Sequence, residues 1–387
     1  MKVLIVHRYF WPESMSTLPV MLKDVVHMHL ERGDNVGVVT GARAEHNKSW
    51  NDEFGDSVHI KAFYADIDRN VSYIQRTINL VRLYFLSFGK IISDKPEVVY
   101  TVSYPPLLSS LLAFTLRLIS RKSKQVFYVQ DILSYRISNS IVRALYERMF
   151  KYSCKRSFRT ITLSGEMRSE VLRIVGTTAE NNKDYDDKIA VIPNFSPDLY
   201  TTVLERVEKR YDVVYAGNHG EAQNLGHFLR TLAVVQKKKS VKVVFYGEGT
   251  SKTDLMQLAE EVGAVVEFNE SVSRLEVSRK MMEAKLGLVG AVPDLMRYAF
   301  PSKLAAYNSA GVAGLVMCES DSETADWLAE NGIGVPIDST DMNKAAEQIE
   351  RAIDLHFDPV AVRSAAERLY SLDGYIALFK IKILKSF

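Results

Sequence analysis

The sequence predicts an α/β protein made of two doubly wound domains that face a cleft. Three observations lead to this prediction: a length of 387 residues, strand-length apolar runs that alternate with longer periodic segments, and a break in that alternation near residue 200. A chain of this length exceeds what one hydrophobic core usually supports and falls short of three typical domains. Alternating strand and helix patterns are typical of a parallel sheet wrapped by helices.

The first series of elements predicts an N-terminal domain over residues 1–197. Its strand-length runs are KVLIV, NVGVVT, SVHIKAF, EVVYTVSY, QVFYVQ, RTITLS and KIAVIPN, and helical patterns separate most of them. The turn after the first run lacks G-x-G-x-x-G, which argues against a nicotinamide-dependent oxidoreductase.

A second series follows a polar connector at residues 198–210 and predicts a C-terminal domain over residues 198–372. Its strand-length runs are YDVVYAG, VKVVFYG, AVVEF, AKLGLVGAV and GVAGLVM. The remaining segment, residues 373–387, predicts a helix beyond this series that can return to brace the first domain.

The composition excludes several classes of protein. A hydrophobic fraction of 47% and a charged fraction of 25% are ordinary for a globular chain and exclude disordered and fibrous proteins. Two cysteines are too few for a disulfide framework or a zinc site, so we expect free buried thiols and a cytoplasmic protein. The longest uncharged run, residues 98–116, contains Pro105 and Pro106 and therefore predicts a strand and a buried helix rather than a membrane span.

Polar residues and glycines end the strands of the second series, where open parallel sheets bind their ligands. In VVYAGNHGEAQNL, Gly217 and Gly220 flank Asn218 and predict bare backbone amides that can meet a phosphate, although an ordinary turn would explain one glycine. Gly247 ends the next strand and Asn269 follows the one after it. The GEG sequence at Gly247 is equally compatible with a tight turn and is not a P-loop.

The stretch YAFPSKLAAYNSAG predicts a helix with a positive N-terminal pole. Pro301 suits the first turn, and Ser302 and Lys303 follow it, so a leaving diphosphate would fit there. The alternative is a capped helix with a solvated lysine. We predict that His219 is a polar loop residue rather than a catalytic group.

The order of these segments resembles that of the family 4 glycosyltransferases of the GT-B fold, and the resemblance covers most of the chain. It looks closest to the bacterial surface-polysaccharide branch, whose pattern is matched by Pro12-Glu13, Asp131 and Ile192-Pro193-Asn194. The resemblance implies two Rossmann-like domains facing a central cleft. The domain over residues 1–197 would bind the acceptor, and the domain over residues 198–372 would bind the nucleotide sugar.

The family's activity is transfer of a sugar from a nucleotide diphosphate donor, with retained anomeric configuration. The resemblance implies no metal and no cofactor, because amides, a helix N-terminus and basic side chains stabilise the departing diphosphate. It assigns catalytic roles to Asp131 and Glu13. It assigns donor binding to Gly217, Asn218, Gly220, Gly247, Asn269, Tyr298, Ser302 and Lys303.

The sequence departs from the family at two places. Tyr298 and Ala306 stand where the family has paired glutamates, the second of which binds the donor ribose, and Gln223 and Asn224 replace its usual basic pair. Tyr298, Asn308 or a neighbouring loop would have to supply the missing ribose contact. Two alternatives therefore remain: a GT-B protein that binds a ligand without transferring sugar, and a nucleotide-sugar epimerase.

Positive charge is concentrated in residues 69–173, which hold 18 lysines and arginines and six aspartates and glutamates. Interleaved aromatic residues favour a membrane surface as the partner over a solvated face, and no recognition motif for nucleic acid accompanies the charge. We therefore predict a peripheral protein on the inner face of the cytoplasmic membrane, with a lipid-linked or other saccharide acceptor and no nucleic-acid partner.

Overall fold

The computed structural model describes residues 1–12, 17–43, 45–64, 72–177, 185, 187–300 and 302–387. Two of the residues singled out above, Glu13 and Pro301, lie outside these ranges. The chain divides into unit 1, residues 1–193 and 376–387, and unit 2, residues 194–375. The change of unit thus comes four residues before the boundary predicted after residue 197.

The described part of unit 1 contains a seven-stranded parallel sheet in the order β3-β2-β1-β4-β5-β6-β7. On the interior strand β1, Val3 lies opposite Val36 of β2 on one side and Val98 of β4 on the other. Both faces of the sheet are covered, which explains the nearly continuous apolar runs. The strands are β1 (Lys2–Tyr9), β2 (Asn35–Ala42), β3 (Val58–Tyr64), β4 (Val98–Val102), β5 (Lys124–Tyr128), β6 (Arg159–Thr162) and β7 (Ile189–Val191).

Side-chain caps begin several helices of unit 1. Ser72, Asn139 and Ser164 each accept hydrogen bonds from first-turn amides of the helices that follow them. The helices are α1 (Thr17–Glu31), α2 (His46–Phe54), α3 (Tyr73–Asp94), α4 (Pro106–Ile119), α5 (Ser140–Arg156) and α6 (Gly165–Val175), with 3-10 turns at Gly55–Ser57, Leu133–Arg136 and Leu384–Ser386.

The described part of unit 2 contains a six-stranded parallel sheet in the order β10-β9-β8-β11-β12-β13. Strand β8 lies between β9 and β11, so the order of the strands reverses beside it. Doubly wound sheets bind their ligands at the carboxyl ends of the strands at such a point. The strands are β8 (Tyr211–Ala216), β9 (Val243–Tyr246), β10 (Glu267–Asn269), β11 (Ala284–Val289), β12 (Ala313–Met317) and β13 (Gly334–Ile337).

Side chains also cap the first turns of several helices of unit 2. These caps are Ser273, Ser322, Asp341 and Asp358. The connector predicted at residues 198–210 contains one short helix. The helices are α7 (Asp198–Thr201), α8 (Leu225–Gln236), α9 (Lys252–Val262), α10 (Arg274–Met282), α11 (Leu295–Tyr298), α12 (Ser302–Ser309), α13 (Glu323–Asn331), α14 (Met342–Ala352) and α15 (Pro359–Tyr370), with a 3-10 turn at Glu221–Gln223.

The last helix, α16 (Leu372–Lys382), begins in unit 2 and ends in unit 1. Within unit 1, Phe379 is fully buried and its ring stacks on that of Tyr100, with 6.1 Å between ring centroids. Arg32 Nη1 donates a hydrogen bond to the carbonyl of Leu384 at 3.1 Å. Residues 376–387 are thus part of the core of unit 1.

Two further predictions concern cysteines and membrane spans. Cys154 and Cys318 are both free and buried, which confirms the prediction from their number. Among the helices that the structure describes, none has the length and apolarity needed to cross a bilayer. The uncharged run at residues 98–116 forms strand β4 and most of helix α4, as predicted.

Candidate functional site

Two glycines at the carboxyl ends of β8 and β9 bring these strand ends into backbone contact. Gly217 has φ 143° and Gly247 has φ 140°, values that favour glycine. A Cβ atom on Gly247 would collide with the carbonyl oxygen of Gly217. The sequence therefore needs glycine at residue 247 for a steric reason, whether or not a ligand binds there.

Lys303, in the first turn of α12, reaches this same edge of the sheet. Its Nζ donates a hydrogen bond to the hydroxyl of Tyr215 at 2.8 Å and lies 4.7 Å from the centre of that ring. Its side chain crosses Gly217 so closely that a Cβ atom there would collide with Lys303 Cε. The structure thus brings together Gly217, Gly247 and Lys303, three of the residues predicted to bind a donor.

The electrostatic environment of Lys303 lacks a counter-charge. Within the described residues the ammonium group makes no ion pair, and burial lowers the pKa of Lys303 to about 8. Because burial disfavours the charged form of Lys303, a bound anion would stabilise that form and raise the pKa again. This arrangement can bind a phosphate or another anion beside the end of β8.

The amides of Gly217 and Gly220 are not bare, and that part of the prediction is wrong. Gly217 N donates to the carbonyl of Tyr246 at 2.9 Å, because it continues the sheet ladder. Gly220 N donates to Gln223 Oε1 at 3.2 Å. Phosphate binding by Gly220 would therefore require displacement of a side-chain amide.

Gln223 and Asn224, which replace the family's basic pair, shape this loop. Gln223 Oε1 also accepts a hydrogen bond from Asn218 Nδ2 at 3.4 Å. Asn224 adopts a left-handed conformation, and its Nδ2 donates to the carbonyl of Ser339 at 3.2 Å. Both residues stabilise the turn between β8 and α8, and Lys303 supplies a positive charge at the same edge.

His219 lies in the loop, as predicted, and is fully buried there. Its amide donates to the carbonyl of Glu248 and its carbonyl accepts from Ser251 N, which joins the two glycine loops. Desolvation and the nearby Lys252 lower the pKa of His219, so the ring is neutral at pH 7. Neither ring nitrogen has a hydrogen-bond partner among the described residues. The loop buries this ring between aromatic neighbours, which no sequence signal indicated.

Tyr307 connects the strands beneath this site. Its hydroxyl accepts a hydrogen bond from Ala216 N at 2.9 Å and donates to the carbonyl of Leu288 at 3.2 Å, so it bridges β8 and β11. Gly287 leaves room for this ring, since a Cβ atom there would overlap it. The position of α12, and with it that of Lys303, is fixed by this buried contact.

The carboxylate missing at Ala306 is not replaced by Asn308. Asn308 is fully buried, and its Nδ2 donates to the carbonyls of Val312 and Ile333, both at 3.0 Å. Ala306 is half-buried against the core. A ribose contact from Asn308 is therefore excluded, which leaves Tyr298, half-buried on α11, and the neighbouring loops.

One such loop carries a carboxylate. Glu319 follows β12 and accepts, through Oε1, hydrogen bonds from Asp294 N at 2.9 Å and Ser339 Oγ at 3.0 Å. Within the described residues its second oxygen makes no hydrogen bond. Sequence analysis missed this residue because no motif surrounds it.

Asn269 and Ser302 were also predicted to bind the donor, and their contacts give only part of the evidence needed for that role. Asn269 uses its backbone carbonyl to accept from Lys252 Nζ at 3.0 Å, while its side chain donates to Glu267. Ser302 is exposed and begins α12. The donor role of these residues stays a prediction.

In unit 1, Asp131 lies just beyond the carboxyl end of β5. Ser103 Oγ accepts hydrogen bonds from the backbone amides of Gln130 and Asp131, at 3.1 and 3.3 Å, and thereby fixes this turn. Desolvation raises the pKa of the Asp131 carboxyl, although the residue is exposed by its surface area, and the charges of Arg136 and Arg8 oppose that rise.

Arg8 was missed by the sequence analysis, although its place directly after the first apolar run was a usable signal. Its guanidinium lies over the ring of Tyr104 at 4.1 Å and near that of Tyr9 at 4.4 Å. Arginine held between aromatic rings in this way is pre-organised for hydrogen bonding to a ligand. Unit 1 therefore has a carboxyl group and two arginines at one edge of its sheet.

The part of the chain that the structure describes contains no group of three or more His, Cys, Asp or Glu side chains that could hold an ion. Metal independence stays a prediction from the resemblance.

Comparison with known proteins gives matches only at the level of structure. No protein-family model and no curated protein matches the sequence. The galactosyltransferase WaaB of the lipopolysaccharide outer core has a TM-score of 0.71 at 12% identity, with all of both chains covered. HepE of Anabaena, solved with UDP and glucose, has a TM-score of 0.66 at 14% identity over all of both chains.

A third structure, WaaG, a glycosyltransferase involved in lipopolysaccharide biosynthesis, has a TM-score of 0.62 at 13% identity and covers 99% of each chain. The chain has the GT-B fold. This confirms the fold class predicted from the sequence. The GT-B fold hosts its functions in sites rather than in its topology, so activity has to be argued from the residues.

Proposed function

We propose that this chain is a glycosyltransferase that binds a nucleotide diphosphate sugar in unit 2 and transfers the sugar, with retained anomeric configuration, to a lipid-linked or other saccharide acceptor. Glycosyltransferases among the structural neighbours support this proposal, as does the UDP bound to HepE. We also propose a role in surface polysaccharide synthesis. The resemblance described above and the neighbours WaaB and WaaG support this role.

The observation that carries the proposal is Lys303. It is a desolvated cation with no carboxylate partner among the described residues, held by Tyr215 beside the carboxyl end of β8. Negative charge develops on the diphosphate as its bond to the sugar breaks. A fixed cation at the N-terminus of α12 stabilises that charge without a metal, because it is already oriented before the reaction.

Asp131 is the group that we assign to the acceptor in unit 1. Its carboxyl accepts a hydrogen bond from an acceptor hydroxyl, which positions that oxygen for attack on the anomeric carbon. Glu13 has the same proposed role from the resemblance and lies outside the described residues.

Calorimetry with UDP in the presence of EDTA tests the donor site. We expect metal-free binding by the natural protein, and at least tenfold weaker binding by Lys303→Gln, a loss of about 1.4 kcal/mol or more. Lys252→Gln is the matched control, since Lys252 lies at the same edge but pairs with Glu248 at 2.6 Å. Equal losses in both variants, or binding only with magnesium, would contradict the proposal.

The absence of the family glutamate at residue 306 supports a second candidate, a GT-B protein that binds the nucleotide without turnover. Mass spectrometry of reactions with a panel of nucleotide sugars and lipid-linked saccharides separates the two. Release of nucleoside diphosphate together with a glycosylated acceptor supports the transferase. Tight UDP binding with no product from any donor would support the binding protein.

A further inference from the structure

Exposed apolar side chains are concentrated on three helices of unit 1. Of the 22 large hydrophobic side chains that are exposed in the described residues, 13 lie on α3, α4 and α5. On α3 they are Ile74, Ile78, Val81, Phe85 and Ile92; on α4, Leu107, Leu111, Phe114, Leu118 and Ile119; on α5, Ile141, Val142 and Leu145. Scattered exposed hydrophobic residues are ordinary in a folded protein, but a concentration of this kind marks a binding surface.

These side chains form regular stripes along α3 and α4. Residues 74, 78, 81 and 85 on α3 and residues 107, 111, 114 and 118 on α4 have the same spacing of four, three and four, which places each set on one side of its helix. Each helix also buries a second apolar side in the core, through Leu83 and Ile91 on α3 and Leu112 on α4. Folding therefore leaves one apolar side of each helix in solvent.

The three helices lie side by side. Tyr84 Oη and Thr115 Oγ1 are 2.9 Å apart and join α3 to α4. Ser110 Oγ donates to the carbonyl of Met149 at 2.9 Å and joins α4 to α5. Phe85 directly follows Tyr84 in the sequence, and Phe114 directly precedes Thr115. The two apolar stripes are therefore neighbours. We name the surface formed by the 13 side chains the apolar helix face.

Basic side chains accompany this face. Residues 72–156 contain 14 lysines and arginines and four aspartates and glutamates. Arg82 and Arg117 are exposed and stand within the two stripes, and Arg121 and Lys122 follow the end of α4. An apolar surface bordered by cations is typical of proteins that lie in the interface of an anionic bilayer.

We propose that the apolar helix face inserts into the headgroup and acyl boundary of an anionic lipid bilayer, with Phe85 and Phe114 as its principal inserted side chains. The arginines beside them bind lipid phosphates. The charge decides between this partner and a second copy of the chain, because two copies packed through this face would bring two strongly positive surfaces together. The inference stands independently of the proposed sugar transfer.

Flotation with vesicles of phosphatidylcholine alone, or of phosphatidylcholine with phosphatidylglycerol, tests the proposal. We expect the natural protein to float with the anionic vesicles. The variant Phe85→Ser/Phe114→Ser should bind them at least about tenfold more weakly, since two inserted rings are lost. The parent side chains are 64% and 51% exposed, so the folded state should tolerate the change, which an unaltered thermal midpoint would show.

The matched control is Val265→Ser/Val360→Ser, which removes two apolar side chains of 75% and 60% exposure from unit 2. It should float like the natural protein. Arg82→Gln/Arg117→Gln should weaken binding to anionic vesicles, most clearly at low salt, because the Debye length falls from about 10 Å at 0.1 M to about 3 Å at 1 M.

Several results would overturn the proposal. These are equal flotation of the Phe85→Ser/Phe114→Ser variant and the natural protein, failure of the natural protein to float with anionic vesicles, or equal loss in the unit 2 control. A lipid-free dimer in analytical ultracentrifugation that this variant dissociates would assign the face to a second copy. UDP binding by the same variant reports on the donor site separately, so the two proposals fail independently.

Discussion

Lys303 illustrates how one side chain can tie together residues distant in sequence. It lies 86 positions after Gly217, yet its methylene groups cross that glycine and its ammonium group binds Tyr215. The sequence predicted that the Gly217 loop and the helix that begins at Ser302 and Lys303 both bind phosphate groups. It could not predict the contact between them, because that contact depends on how Tyr307 seats α12 against β8 and β11.

Diphosphate binding should depend on pH through Lys303. Burial lowers the pKa of this lysine from 10.5 to about 8, so the folded protein loses the proton at a lower pH than the unfolded chain. A bound diphosphate favours the charged form, so its affinity should fall as pH rises above about 8, approaching tenfold per pH unit. Calorimetry of UDP binding between pH 7 and 9.5, in buffers of different ionisation enthalpy, should also detect proton uptake in that range.

Lys303→Arg is the control for this dependence, because arginine stays protonated throughout the range. Its UDP affinity should be flat from pH 7 to 9.5. A flat profile for the natural protein would show that Lys303 does not charge on binding. The same pKa has a consequence for stability. Between pH 8 and 10.5 the unfolded chain binds more protons at this residue, so the destabilisation that the buried charge causes decreases as pH rises.

At the scale of elements, the carboxyl ends of β8 and β9 in unit 2 can lie in contact because Gly217 and Gly247 have no side chain. The alternation of strands and helices was readable from apolar periodicity, because each strand is buried on both faces. The loops were harder to predict. Between β8 and α8 a 3-10 turn ends at Gln223, Asn224 takes a left-handed conformation and α8 begins at Leu225, and no periodicity marks such a change of conformation.

Gly247→Ala should destabilise unit 2 by about 2–4 kcal/mol, because the new methyl group meets the backbone of Gly217 and the residue has φ 140°. Gly263→Ala provides the comparison. It changes a left-handed glycine with φ 74° and open space around it, and should cost about 1–2 kcal/mol. Urea denaturation measures both, and a smaller loss for Gly247→Ala than for Gly263→Ala would contradict the steric account.

At the scale of the whole molecule, residues 376–387 complete unit 1 although they follow all of unit 2 in the sequence. The sequence predicted a terminal helix and left its docking open, since an amphipathic helix carries no information about its distant partner. The burial of Phe379 against Tyr100 supplies that information.

Phe379→Ala should destabilise unit 1 by about 3–5 kcal/mol, the usual cost of removing a buried aromatic ring. Ile381→Ala, on the same helix but exposed, should cost less than about 1 kcal/mol. Thermal unfolding followed with and without UDP provides the measurement. Because the donor site lies in unit 2, the nucleotide should still raise the midpoint of that unit in the Phe379→Ala protein, and loss of this effect would contradict the assignment.

The late position of residues 376–387 has a consequence for biosynthesis. At the usual rate of 5–20 residues per second, roughly 10–40 seconds separate synthesis of residue 193 from that of residue 387. During that interval the sheet of unit 1 is present on the ribosome without the helix that covers Tyr100, and the whole of unit 2 emerges as one continuous segment. We therefore expect unit 2 to have all its residues before unit 1 does, and unit 1 to require protection by chaperones until residues 376–387 have been made.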